Sequence, residues 1–314
     1  MRKDLTDFFN EHWLMLAPMA GINDQVFRSI CIEQGAQLTY TEMVSSKALS
    51  YKNEKTQNLL HLANNEEAVV VQLFGHEPQT MAEEAHKIEV ELGERLAYID
   101  INMGCPARKI TKKGDGSALL HTKDLAADIV KACNDSCESA ITVKIRKGVE
   151  LEEDLSFEFA LAMQEAGASA VCIHGRSANQ FYKDEADVEC GKNLVENLSI
   201  PVIWSGDIDA YEKAHDIKDL GFAGAMIGRA ARGNPWIFNK NATYSMQNRI
   251  ETAKRHVQEY AKLYPRNLAY MRKHCNWYVH GMPGATFARD KFSHCDTVEQ
   301  YIEVLDQLSE RLEK

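Results

Sequence analysis

The chain has 314 residues, 45% of them hydrophobic and 26% charged, and a net charge of −10. That composition is ordinary for a soluble globular protein, and its acidity argues against a generic nucleic-acid coat. Residues 1–9 are charged and lack the apolar core of a signal peptide, and no apolar run approaches the roughly 18 residues of a membrane span, so a cytoplasmic protein with no membrane association is expected.

Eight apolar runs follow in chain order, at 14–18, 38–43, 69–74, 97–102, 141–146, 170–174, 201–205 and 223–227. They are rich in Val, Ile, Leu and Ala and nearly continuous, as parallel strands buried on both faces are. Amphipathic stretches at 25–34, 80–92, 125–134, 157–166 and 211–220 alternate with them. Gly35, Gly93, Gly167 and Gly221 end four of these stretches as C-cap signals. Eight β/α units in about 230 residues predict an α/β protein of the (β/α)8 TIM-barrel class. A doubly wound sheet would want a GxGxxG turn after its first strand, and the residues before Gly21 do not form one. Beyond Phe238 the rhythm becomes helical, at 249–264, 267–279 and 297–312, interrupted by Gly281, Pro283 and Gly284. The spacing predicts a barrel over 1–240 and a small C-terminal helical domain over 245–314.

In such a barrel the chemistry sits where the strands end. Here they end in Pro18-Met19-Ala20-Gly21, near Glu42, at Gln72, in Asn102-Met103-Gly104-Cys105-Pro106, at Lys144 and Arg146, in His174-Gly175-Arg176, in Ser205-Gly206-Asp207 and in Gly228-Arg229. A lysine inside an apolar run needs a partner or a task. The loops after the seventh and eighth strands commonly hold phosphate. Gly206 and Gly228 let backbone N–H groups approach it, and Arg229 brings charge. Asn234-Pro235 reads as an N-cap with a first-turn proline. A phosphate-bearing cofactor is therefore expected, with Asp207 as a ribityl or backbone partner.

Eight cysteines are scattered without paired CxxC spacing, so no metal site is expected. Cys105 differs from the others in following a strand between Gly104 and Pro106 and leading into the basic loop 107–117, which is read as mobile. A thiol there can donate a proton or act as a nucleophile. The charge is also uneven: residues 239–291 carry +7 within the acidic chain, a candidate phosphate-facing surface.

These stretches, with Thr41-Glu42-Met43, Gly116-Ser117-Ala118-Leu119-Leu120 and Arg272-Lys273-His274, resemble the tRNA-dihydrouridine synthases, most closely their bacterial B-type branch. The resemblance covers nearly the whole barrel and part of the tail, and Asn102-Met103-Gly104-Cys105-Pro106 is its most specific segment. It implies tightly bound FMN, reduced by NADPH, held by Pro18, Met19, Ala20, Gln72, Lys144, His174, Ser205, Gly206, Asp207, Gly228 and Arg229. It implies that hydride passes to C6 of a tRNA uridine while Cys105 protonates C5. Asn102 and Arg176 match positions near the uracil; Lys109, Lys112, Arg272 and Lys273 suit the tRNA backbone. No obligate protein partner is implied. The chain departs from the family at Ser205, where asparagine is usual, and at Gly114-Asp115 in the catalytic loop. The competing readings are a flavin barrel reducing a free pyrimidine or small enone, for which a +7 tail has no use, and a non-catalytic RNA-binding barrel, which would not need Cys105 and Lys144.

Overall fold

The computed structural model describes residues 4–312. Nine parallel strands run in chain order: β1 Leu14–Leu16, β2 Leu38–Tyr40, β3 Val44–Ser45, β4 Val69–Phe74, β5 Leu96–Met103, β6 Ile141–Arg146, β7 Ala170–His174, β8 Val202–Ser205 and β9 Gly224–Ile227. Eight of them close a barrel, because β1 pairs with both β2 and β9 and β2 pairs with β4. The ninth, β3, is a two-residue addition beside β4. It arises where the second apolar run breaks: Glu42 leaves the ladder and its carboxylate accepts hydrogen bonds from Gly21 N–H and Tyr270 O–H.

Alternate strand residues share the barrel interior. Its lower half is filled by Met15, Leu38, Tyr40, Val70, Tyr98, Ala170, Cys172, Ile203 and Met226. The helix Thr6–Glu11 closes that end with Phe9, whose ring meets Tyr98 at 5.9 Å. The opposite faces of the strands pack against the surrounding helices, among them Gln25–Glu33, Pro78–Leu92, Lys123–Ser136, Ser156–Glu165 and Tyr211–Asp219. The helix Val188–Asn197, which the sequence pattern did not single out, starts where Asp187 accepts a bond from Glu189 N–H.

The tail is helical at Met246–Leu263, Met271–Tyr278, Ala285–Phe292 and Val298–Leu312. A tight turn, Leu268–Tyr270, divides the helix expected over 267–279. Ala285–Phe292 begins directly after Gly284, in the stretch read only as a break. These helices enclose a separate apolar core around Ile250, Val257, Tyr278, Phe292 and Leu305, to which the barrel helix Gln25–Glu33 contributes Val26 and Ile30.

The seam between barrel and tail also contains three buried polar side chains. Asp24 caps Gln25–Glu33 by accepting from Val26 and Phe27 N–H, both at 3.0 Å. Its carboxylate lies 3.3 Å from His256 Nε2 and 3.4 Å from His274 Nε2. Burial alone would raise the Asp24 carboxyl. The opposing field and hydrogen bond of His256, with His274 and the helix N–H groups, lower it to about 2. His274 is driven well below the ordinary histidine range by burial and by the neighbouring His256.

Candidate active site

The inward-facing residues toward the C-terminal ends of five successive strands, β4 to β8, form one polar layer. In the ladder Asn102 stands beside Lys144, Gln72 beside Asp100, and His174 beside Ser205. A chain of hydrogen bonds runs through this layer. Thr142 Oγ1 donates to Asp100 Oδ1 at 2.7 Å, and Gln72 Nε2 donates to Asp100 Oδ2 at 2.6 Å. Asn102 Nδ2 donates to Gln72 Oε1 at 2.7 Å, while Asn102 Oδ1 accepts Cys105 N–H at 2.9 Å. Asn102 thus links the rigid strand layer to the loop that follows it. Burial raises the Asp100 carboxyl to about 6 despite its two donors. Lys144 Nζ has no hydrogen-bond or ion-pair partner among the described residues, so its ammonium is available to a ligand.

Cys105 is half-buried, unlike most of the cysteines, which are fully buried. Burial pushes its thiol up, partly opposed by a backbone donor at Ala107 and by Arg146 and Lys109. The thiol therefore holds its proton at neutral pH, as a proton donor must. The loop beyond it is more ordered than its composition suggests. It forms a short helix, Arg108–Thr111, buries Ile110, and turns back as a 3-10 segment, Gly116–His121. Lys109 and Lys112 are exposed on it.

Across the mouth, cations converge. Arg146 is buried, donates to the carbonyls of Gly104, Ser177 and Phe181, and is brought down to about 10 by desolvation. Arg229 donates to Asp207 Oδ1 at 3.1 Å and lies 4.4 Å above the Tyr182 ring. His174 is buried, and desolvation together with Arg146, Lys144, Arg176 and Arg229 holds it well below the ordinary range. It is a neutral imidazole, able to give or accept a hydrogen bond without adding charge. Gly206 has φ +150°, and a Cβ there would fall 2.8 Å from Ala186 Cβ and 3.3 Å from His174 Cδ2. Only glycine permits this φ and this close packing against Ala186 and His174. Pro18 and Met19 are half-buried and Ala20 is exposed in the loop after β1, which meets the Gly228 end of β9 through the bond from Ala17 N–H to Ile227 O. Ser205 is nearly buried at the end of β8.

Some expected residues are placed differently. Arg176 is buried: it donates to the carbonyls of Lys183 and Asp184 and to Asp207 Oδ2 at 2.7 Å. Its Nη1 alone has no partner among the described residues. Arg272 is drawn into the tail by Cys295 O and by Asp296, 2.7 Å away. Lys273 is half-buried, 3.4 Å above the Tyr270 ring. Asn234 occupies the N-cap position without a side-chain cap bond, and Pro235 opens the turn as expected, but the turn is a four-residue 3-10 segment, Pro235–Phe238. The sequence reading missed Tyr182. It lies between Arg229 and Arg146, with its centroid 6.3 Å from that of His174, and its only sequence signal is an aromatic pair, Phe181-Tyr182, in a polar loop.

The unpartnered Lys144 Nζ and Arg176 Nη1 and the neutral His174 fit an anionic ligand at the barrel mouth. The His- and carboxylate-bearing group with metal-ligand spacing, Asp24 with His256 and His274, lies instead in the barrel–tail seam.

The family model described as dihydrouridine synthase matches residues 15–313. The chain is 36% identical over 302 residues to a tRNA-dihydrouridine synthase B of Shewanella oneidensis, covering 92% of each protein. It is 38% identical to that of Pasteurella multocida, covering 92% of this chain and 90% of the relative. With the Vibrio vulnificus protein of the same name the identity is 37%, over 93% of this chain and 94% of the relative.

Proposed function

The chain belongs to the dihydrouridine synthase family, and from that premise we propose that it reduces uridines of tRNA to 5,6-dihydrouridine. It is an oxidoreductase acting on the C5=C6 bond of the base. The observation that carries the reading is Cys105, its thiol kept protonated by burial and its backbone anchored by Asn102 beside an unpartnered Lys144. The barrel, residues 1–240, is the FMN-binding catalytic unit, and 245–314 is the tRNA-binding unit.

FMN reduced by NADPH supplies, when bound, the hydride that adds at uracil C6. The residues that would hold it are Pro18, Met19, Ala20, Gln72, Lys144, His174, Ser205, Gly206, Asp207, Gly228 and Arg229. Lys144 and Arg229 would bring positive charge to it, with Asp207 holding Arg229 in place. Cys105 delivers one proton to C5, and its thiolate is reprotonated from solvent. Asn102 orients that loop through the Cys105 N–H and would stand near the base. Arg176 shapes the wall through its carbonyl and Asp207 contacts, with Nη1 left for the ligand. The target base must leave its stack to reach this depth, so the protein must also grip RNA backbone. Arg272 and Lys273 are largely committed within the fold. Lys109 and Lys112, with Lys262, Arg266 and Arg289, are exposed cations suited to phosphate. Among the described residues, no helix is long and apolar enough to cross a membrane.

Incubating the purified protein with NADPH and unmodified tRNA should yield dihydrouridine, while free uridine and UMP should stay unreduced. Equal turnover of the free nucleosides would favour the small-molecule reductase instead. Replacing Lys109 and Lys112 by Gln should flatten the log–log salt dependence of tRNA affinity by about 0.7–0.9 for each phosphate no longer neutralised; an unaltered slope would place the loop outside the interface.

A further inference from the structure

Asp115, in the loop after Cys105, has a structural partner outside that loop. Asp115 is only 5% exposed, and its Oδ1 lies 2.7 Å from His76 Nδ1. His76 stands two residues beyond β4, the strand that carries Gln72. We propose that His76 and Asp115 are a positioning pair that clamps the Cys105 loop to the end of β4 and so sets where the thiol meets the substrate base.

The geometry joins the pair to the thiol in two short steps. Asp115 leads into Gly116, whose φ of +63° folds the chain over Cys105; a Cβ there would lie 2.7 Å from Cys105 O. Ser117 N–H then donates to Cys105 O at 3.1 Å. The Cys105 residue is thus held at both ends, its N–H by Asn102 from β5 and its carbonyl by the 115–117 turn. The first anchor belongs to the rigid barrel. The second belongs to a loop whose Arg108, Lys109, Lys112 and Lys113 are exposed and mutually repelling. Ile110 and Asp115 are its buried attachments. A buried carboxylate needs a compensating donor, and His76 provides it. Glu77, 4.0 Å from His76 Nε2 and itself paired with Lys47 at 2.9 Å, flanks the imidazole on its other side.

The catalytic part of this inference rests on Cys105 as the proton donor. Asp115→Ala, Asp115→Asn, His76→Ala, His76→Gln and the double alanine variant are compared in the flavin-loaded protein. The readouts are turnover on tRNA, the rate of flavin reduction by NADPH, and the iodoacetamide alkylation rate of Cys105 followed by peptide mass spectrometry. Either alanine change should lower turnover roughly ten- to a hundredfold, the range expected for a misplacement near 1 Å. Cys105 alkylation should rise severalfold, with NADPH-driven flavin reduction unchanged. The double variant should be no worse than either single one, and His76→Gln, which keeps a donor, should recover most of the loss. Unchanged alkylation in both alanine variants, or additive losses in the double, would overturn the clamp. Turnover retained by Cys105→Ala would overturn the donor reading instead, and the alkylation rates would still decide the clamp.

Discussion

Cys105→Ala should keep its flavin and its reduction by NADPH, yet lose turnover on tRNA by about 10²- to 10⁴-fold, the usual span for removing a general acid. The methyl group fills nearly the same half-buried site, and the Asn102 anchor uses the backbone, so the loop should hold its place. Single-turnover conversion of tRNA uridine, read beside flavin reoxidation, isolates the protonation step. The same thiol sets the alkaline side of the pH profile. Burial moves its pKa above the ordinary thiol value of about 8.5, and the acid form is the active one. Turnover should stay level through neutral pH and decline only above that ordinary value. Full activity in the alanine variant, or a decline that begins near pH 7, would remove Cys105 from the acid role.

Much of this site could be read in advance because it is written in strand ends. Parallel strands buried on both faces give long apolar runs, so a Lys144 or a His174 inside one stands out, and the residue after the run falls at the mouth. The runs at 69–74, 141–146 and 170–174 coincide with β4, β6 and β7. What stayed hidden depends on distance along the chain. Asp115 looked like an unexplained acid because its partner, His76, is 39 residues away. Arg272 looked free because Asp296, which pairs with it, follows 24 residues later, beyond the helix Ala285–Phe292. The second strand looked continuous because nothing local shows that Glu42 is recruited by Tyr270 from the tail, 228 residues on. Charge counts along a sequence measure supply; only the fold shows which cations are already committed.

The Asp24 seam gives the largest expected effect on stability. Asp24→Ala removes the anion facing two fully buried histidines and also deletes a helix cap. Leaving the buried His256 ring without its acceptor costs about 1–3 kcal/mol, and loss of an aspartate cap about 1 kcal/mol. Against a total stability of roughly 5–15 kcal/mol, that loss is large. It should appear as a lower Tm and as protease cleavage between Phe238 and Ser245, where the tail leaves the barrel. Asp24→Asn separates the two contributions, because asparagine caps as well as aspartate but carries no charge. The pH dependence has two windows with the same sign. His274 and His174 are held below their ordinary value when folded, so the unfolded chain takes up their protons first and stability falls as pH drops below about 6.5. Asp24 is depressed to about 2, so its contribution is complete above about 3.9 and is lost as pH falls toward 2. Asp24→Asn should erase the lower window and deepen the upper one, because the Asp24 charge is what partly raises His274, a pattern that denaturant titrations from pH 8 to pH 2 can resolve. An alanine variant within about 1 kcal/mol of the parent would mean that the seam is held by the apolar core of Val26, Ile30 and Tyr278, with the buried Asp24 carboxylate contributing nothing net.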